Sequence, residues 1–215
     1  MKMTTEKLTA KARMSRWCSR IVIRCASMAL VCVAGLGSAL AQTCPAVPGF
    51  TGPASPSGIV NSYYPGISTA SAGSTTVVVG TIDGRGNATP IAAGDLVVIM
   101  QMQDASINSS NSASYGGTTA GQGYTALNSA GAYEYAAVTS FSGGLITLAT
   151  GLINTYRSAS ANSISGQKTF QVVRVPQYSS ATLAGQITAP PWNGSTGGIV
   201  TFDVAGNLNW AGQTI

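Results

Sequence analysis

The stretch Asp95-Leu-Val-Val-Ile-Met-Gln-Met-Gln103 decides the fold class of this chain. Its first half is continuously apolar after Asp95, and its second half alternates methionine with glutamine. Short apolar runs rich in β-branched residues are typical of buried strands, and a period of two is typical of a strand with one wet face. We therefore predict a strand that is buried on both faces at first and then emerges onto a half-exposed surface.

Other short apolar runs follow the same pattern and are separated by glycine, proline, serine and asparagine. They predict strands at 75–79, 132–139, 145–149, 169–175, 199–204 and 207–210. Phe141-Ser-Gly-Gly144 predicts a hairpin turn between the second and third of these. In strand 132–139, alternation places Tyr133, Tyr135 and Ala137 on one face and Glu134, Ala136 and Val138 on the other. No run after residue 41 has the 3.6-residue period of an amphipathic helix, so we predict an all-β protein.

Residues 1–41 have the layout of a helical secretory signal peptide. A basic region runs to Arg24, an apolar stretch covers 26–34, and the small residues Ala39-Leu-Ala41 predict cleavage before Gln42. The apolar stretch is much shorter than the roughly 20 residues of a membrane-spanning helix. We expect general secretion to the cell surface or the medium, with translation starting at Met1 or Met14.

This leader also explains most of the charge and most of the cysteines. The whole chain has a formal charge of +5, but seven of its eleven basic residues precede position 25. The part after residue 41 has four basic and five acidic residues, which gives no basic surface for nucleic acid. Of the four cysteines only Cys44 follows the leader, and it is either paired with a partner outside this sequence or an unpaired thiol.

The remaining sequence divides by composition. Residues 42–74 form a Pro/Gly/Ser-rich lead-in segment, and residues 75–188 contain most predicted strands, as expected for a small β-barrel or sandwich. Residues 189–215 look like a linker followed by the first strands of a Gly-rich, solenoid-like β region. Because the sequence ends inside a predicted strand, we expect a fragment of a longer protein.

Five stretches of the sequence carry a family resemblance, namely 94–103, 132–138, 148–152, 170–178 and 191–199. They resemble the N-terminal module of large secreted or surface proteins of bacteria, which are adhesin-like, carry repeats and are uncharacterised. The resemblance implies an exported surface module that leads into a Gly-rich β-solenoid, and it implies no catalytic residues.

Few kinds of chemistry are open to this chain, because it contains no histidine. A Ser-His-Asp or Cys-His site within the chain is excluded, and so is an imidazole metal site. Asp83-Gly-Arg-Gly-Asn87 lacks the later acidic positions of an EF-hand, so we interpret it as a turn. Glu134 with Asp104 is the one carboxylate pair worth considering for glycoside hydrolysis. We predict no catalytic residues, no metal site and no cofactor.

Aromatic residues are the candidates for a binding surface. A ligand surface, if present, would use Tyr115, Tyr124, Tyr133, Tyr135 and Trp192, near the long polar loop 104–131. The leading hypothesis is therefore an exported, non-enzymatic, adhesin-like structural module. The alternative is a carbohydrate-binding or carbohydrate-processing domain, with glycans or other cell-surface components as partners.

Overall fold

Fourteen β-strands and no helix occur in the residues that the computed structural model describes, namely 46–108, 123–162 and 165–215. All of them belong to one compact unit, Cys44–Ile215. The all-β prediction is confirmed for these residues. The predicted leader and Cys44 lie outside the described residues.

Most predicted strands lie close to their predicted positions, although the one predicted at 199–204 is limited to Asp203–Val204. Strands that were not predicted occur in the lead-in segment, in the long polar loop 104–131 and between residues 177 and 188. In chain order they are β1 (Gly52–Ala54), β2 (Gly58–Ile59), β3 (Tyr63–Pro65), β4 (Thr76–Val78), β5 (Leu96–Gln103), β6 (Ser106–Asn108), β7 (Gly123–Ala126), β8 (Tyr133–Ser142), β9 (Leu145–Leu148), β10 (Thr169–Val175), β11 (Gln177–Thr182), β12 (Ile187–Thr188), β13 (Asp203–Val204) and β14 (Leu208–Asn209).

The main sheet is antiparallel throughout and has six strands in the order β3-β10-β5-β8-β9-β4. The ten-residue strand β8 pairs with β5 through residues 133–137 and with β9 through residues 138–142. The sheet curls into a half-barrel. The turn Gly143-Gly144 has φ angles of 58° and 81°, a left-handed geometry that favours glycine in a two-residue hairpin.

The two faces of this sheet carry separate hydrophobic cores. Strand β8 contributes Ala136 and Val138 to the first core and Ala137 to the second, as the alternation predicted. The larger buried members of the first core are Tyr64, Ile99, Ile146, Tyr156 and Phe170, and those of the second core are Tyr63, Leu96, Val98, Val173 and Val175.

In the Met/Gln half of β5, burial does not follow polarity. Gln101 is fully buried, whereas the apolar residues Met100 and Met102 are partly exposed. The Gln101 amide donates to the carbonyls of Gln103, Arg157 and Thr169 at 2.8, 2.8 and 3.1 Å. Its oxygen accepts from the Arg157 backbone N–H at 2.7 Å. These four hydrogen bonds satisfy the amide inside the protein, so its polarity does not place it at the surface.

A second architecture stacks beside the half-barrel and consists of parallel strands. We call its layers rungs: the first contains β1 and β2, the second β11 and β12, and the third β13 and β14. β11 pairs in parallel with β1 on one side and with β13 and β14 on the other, and β12 pairs in parallel with β2. The Ile187 N–H donates to the Thr214 carbonyl at 3.1 Å, which extends the third rung along β12.

The second and third rungs repeat with a nearly constant spacing. Tyr178 pairs with Val204, which is 26 residues later, and Ala181 pairs with Leu208, which is 27 residues later. A third hydrophobic core fills the inside of the rungs, with Val60, Leu183 and Ile187 buried and Val200, Phe202 and Leu208 packed against them. Parallel layers around a shared apolar interior are the arrangement of a solenoid, as the sequence led us to expect for residues 189–215.

Candidate functional site

Tyr133 and Tyr135 form the most exposed aromatic pair of the half-barrel. Their side chains project from the same face of β8, and their rings meet edge to face with centroids 6.3 Å apart. The two residues are 59% and 45% exposed, and they lie in the part of β8 that pairs with β5 alone. Two neighbouring rings held on a rigid strand make a platform of fixed shape, and we call it the tyrosine platform.

The platform continues the face of the sheet that carries the second core. Tyr135 lies opposite Val98 and Tyr133 lies opposite Met100, and the next strand places Val173 and Gln171 in the same two rows. A burial gradient therefore runs across the face, from fully buried residues on β10 to the exposed tyrosines on β8.

The segment 190–198, which we call the tryptophan loop because it carries Trp192, covers the buried end of that face. The Gln171 side chain donates to the Gly197 carbonyl and accepts from the Gly197 N–H, both at 2.9 Å. The Tyr63 hydroxyl donates to the Ile199 carbonyl at 2.6 Å. Trp192 is partly buried. The structure thus brings the loop of Trp192 to the same face as Tyr133 and Tyr135.

The predicted turn at 83–87 has a larger role than a turn, because it holds the tryptophan loop in place. Arg85 donates from its guanidinium to the carbonyls of Pro191 and Thr196 at 2.9 and 3.3 Å. Asp83 accepts from the Thr196 hydroxyl at 2.6 Å and from the Arg85 guanidinium at 2.6 and 3.1 Å. We refer to Asp83 and Arg85 as the clamp.

The clamp shapes the electrostatics at this end of the face. Hydrogen bonds from Arg85 and Thr196, acting against partial burial, hold the pKa of Asp83 well below its usual value. Burial, together with the negative charge of Asp83, raises the pKa of Tyr63 to about 12. Tyr63 is therefore neutral at physiological pH and keeps its hydroxyl proton for the Ile199 carbonyl.

Glu134 points away from the platform, into the first core, and is 8% exposed. Its two carboxylate oxygens accept from the backbone N–H groups of Ile153 and Asn154, both at 2.9 Å. Burial and the nearby charge of Glu134 raise the pKa of Tyr156. The carboxylate thus fixes the loop that leads away from β9, which is a structural task.

Asp104 is fully buried at the end of β5. One carboxylate oxygen accepts from the Ser129 N–H at 3.0 Å and from the Arg157 guanidinium at 3.3 Å, and the other lies 3.4 Å from the Lys168 ammonium. A buried carboxylate requires such compensation by charge and hydrogen bonds. Asp104 thereby joins the end of β5 to the segment before β8, through Ser129, and to the segment between β9 and β10, through Arg157 and Lys168.

Glu134 and Asp104 are held by separate sets of partners. Glu134 lies opposite Ile99, five residues before Asp104, which directly follows β5. At about 3.3 Å per residue this register places their backbones roughly 16 Å apart. Backbone N–H groups and cations already occupy both carboxylates.

A charged contact that the sequence did not reveal lies within the main sheet, between β10 and the residue before β5. The Arg174 guanidinium donates one hydrogen bond to each carboxylate oxygen of Asp95, both at 2.8 Å. One of these oxygens also accepts from the Ala92 N–H at 2.8 Å. Asp95 is 2% exposed. A pairing over 79 positions leaves no local pattern in the sequence, so it could not be predicted.

Two of the candidate tyrosines lie in or beside the long polar loop. Tyr115 lies outside the described residues, and for Tyr124 only the backbone is described, in β7 opposite Ile107. In the described ranges no three acidic or cysteine side chains gather as metal ligands. No described segment is a helix of the length and hydrophobicity needed to cross a bilayer.

Together, these observations define a class: an all-β protein in which a half-barrel sheet is joined to parallel rungs.

No protein-family model and no curated protein matches the sequence. Two solved structures are similar to part of it, with 60% of this chain covered in each comparison. One is the gp54 tailspike of Acinetobacter baumannii bacteriophage AP22, solved with A. baumannii capsular saccharide (14% identity, TM-score 0.32). The other is the tailspike protein gp49 of Pseudomonas phage LKA1 (22% identity, TM-score 0.31). The matches span 17% and 18% of those chains.

Proposed function

We propose that this protein is an exported, non-enzymatic structural module of a surface or adhesin-like protein, and that it starts a stack of parallel β-rungs. The observation that carries the proposal is the register of β11, which pairs with the first rung on one side and with the third rung on the other. A spacing of 26 to 27 residues between the second and third rungs is a repeat unit.

The two ends of the stack differ, which gives the module a direction. The first rung contains Pro53 and Pro56, which have no N–H to offer, and the Gly52 N–H already donates to the Gly49 carbonyl at 2.8 Å. Prolines and engaged N–H groups are devices that blunt a sheet edge. Within the described ranges β13 and β14 pair only with β11, so the outer edge of the third rung fits a further parallel rung.

Export is proposed from the leader at residues 1–41. Expression of the full chain in a secreting bacterial host tests it directly. N-terminal sequencing of the exported protein is expected to start at Gln42, and retention of the intact leader in the membrane would contradict the proposal.

The non-enzymatic part rests on the structural engagement of Glu134 and Asp104. We expect the purified protein to release no reducing sugar from a panel of bacterial capsular and cell-wall polysaccharides. Turnover that disappears in Glu134→Gln, with the fold retained by circular dichroism, would overturn this part of the proposal.

A second candidate function, carbohydrate binding, is favoured by the tyrosine platform. Exposed aromatic rings of fixed geometry provide apolar area at little entropic cost, which suits a sugar ring. The measurement is a glycan array with the wild type and with a Tyr133→Ala/Tyr135→Ala double variant. Carbohydrate binding would be established if the double variant loses the binding and Leu145→Ala, on the neighbouring hairpin, retains it. If the wild type binds no glycan on the array, this candidate function is excluded.

A further inference from the structure

The tryptophan loop contains the dipeptide Asn193-Gly194, whose surroundings are chemically unusual. Both residues are exposed, and Gly194 has a φ of 95°. A Cβ placed on Gly194 would meet nothing within 4 Å, so no neighbouring atom crowds this residue, and glycine itself has no side chain beside its nitrogen. An asparagine followed by an unhindered glycine is the arrangement from which a five-membered imide forms most easily.

Hydrogen bonds in the loop also activate the side-chain amide. The Asn193 Oδ1 accepts from the N–H groups of Ser195 and Thr196, each at 2.9 Å. Two N–H donors on one carbonyl oxygen stabilise negative charge on that oxygen, as an oxyanion hole does during acyl transfer. The Gly194 N–H makes no hydrogen bond within the described residues, so its nitrogen is free to act as the nucleophile.

We propose that Asn193 is a self-modification site that deamidates in the folded protein. The Gly194 nitrogen forms a bond to Cγ of Asn193, and the bond from Cγ to the side-chain nitrogen breaks. That nitrogen leaves as ammonia with the proton lost by Gly194. Water then opens the imide at either carbonyl, which yields aspartate or isoaspartate at position 193. Ring closure needs no other reactant, and the hydrolysis consumes one molecule of water.

The product would loosen the clamp. Thr196, whose N–H is held by Asn193, is the residue whose hydroxyl binds Asp83 and whose carbonyl binds Arg85. Isoaspartate adds a methylene to the backbone and removes the side-chain acceptor from its position in the turn. Either product also adds a negative charge to the loop that Asp83 binds. Trp192, next to the modified residue, reports the change.

The test follows modification of the purified protein during incubation at pH 8 and 37 °C. Peptide mapping by mass spectrometry measures the gain of about 1 Da at each asparagine, and isoaspartate is detected by its altered chromatographic retention. We expect Asn193 to convert at least as fast in the folded protein as in the same protein unfolded in urea. Asn207, which is exposed and followed by leucine, should convert about a hundredfold more slowly, the lower end of the loss expected from one missing oxyanion donor.

Two variants keep the test decisive. Asn193→Gln retains an amide oxygen but requires a less favourable six-membered imide, so its loop should stay unmodified and its Trp192 fluorescence constant over the incubation. Asn193→Asp should show the altered fluorescence from the start. Conversion at Asn193 that is tenfold slower in the folded protein than in urea would overturn the proposal, and so would conversion that leaves Trp192 fluorescence unchanged.

Discussion

Asn61 joins the first rung to the half-barrel and to the segment before the third rung, so its removal is the most informative single perturbation. Its side-chain nitrogen donates to the carbonyls of Arg174 and Thr201 at 2.9 and 2.5 Å. Its oxygen accepts from the Thr201 N–H at 3.0 Å. The residue is fully buried, so water does not compete for these backbone groups in the native state.

The expected cost of Asn61→Ala follows from the groups left behind. Three backbone groups lose their partner, and each unsatisfied buried group costs about 1 to 3 kcal/mol. Because Thr201 is only partly buried, we take the lower end for each group and expect a loss of about 3 kcal/mol in the free energy of unfolding. That is a large part of the roughly 5 to 15 kcal/mol that typically stabilises a domain.

Urea unfolding of the purified protein, followed by far-UV circular dichroism and by the fluorescence of Trp192 and Trp210, measures this loss. Amide hydrogen exchange should additionally show faster exchange at 203–209 than elsewhere. Asn207→Ala, at an exposed position, is the matched control and should change stability by less than about 0.5 kcal/mol. A loss below about 1 kcal/mol in Asn61→Ala would refute the reasoning, because three unsatisfied buried backbone groups should together destabilise the fold by more than that.

Three other predictions concern the buried charges. Asp95→Ala leaves Arg174 unpaired and removes the acceptor of the Ala92 N–H, so unfolding should become easier by about 3 to 5 kcal/mol in urea titration; a smaller effect than that of Asn207→Ala would count against it. Glu134→Gln places an NH₂ group against a backbone N–H of the 153–154 loop and should lower the free energy of unfolding by about 1 to 3 kcal/mol, again measured by urea titration. An unchanged urea midpoint would contradict this prediction. Because the folded-state pKa of Asp83 is depressed, its stabilisation is present above the unfolded pKa of about 3.9 and is lost as pH falls through the folded pKa. Asp83→Asn should therefore flatten the loss of stability below about pH 4 in acid titrations, and an unaltered acid profile would contradict the clamp.

Local pattern was enough to predict most of the half-barrel. The apolar run of β5, the alternation of β8 and the two glycines of the hairpin each specify a strand, a face or a turn within ten residues. The same alternation placed Tyr133 and Tyr135 on one face, but it did not predict their exposure, because Ala137 on that face is buried in the second core.

The contacts that hold the rungs and the clamp had no local pattern. Gly52 pairs with Tyr178, and Arg85 reaches Pro191 over 106 positions, so neither pairing leaves a periodic trace in the sequence. The prolines of the lead-in segment gave no strand signal, and they are compatible with β1 and β3 because both strands lie at the edge of their sheets. Gln101 was misleading for a related reason, since its burial depends on carbonyl groups supplied by distant segments.

The central claim is that the second and third rungs are stacked in parallel, with Ala181 opposite Leu208 and Thr182 opposite Asn209. Thr182 and Asn209 are both exposed, and neighbouring strands about 4.8 Å apart lie within the Cα separation that a disulfide spans. In protein whose native cysteines are replaced by serine, we expect Thr182→Cys/Asn209→Cys to oxidise completely to an intramolecular disulfide, visible by mass spectrometry. Thr182→Cys/Asn207→Cys, two residues out of register, should oxidise slowly and incompletely. Equal oxidation of the two pairs, or none in the first, would contradict the stacked rungs.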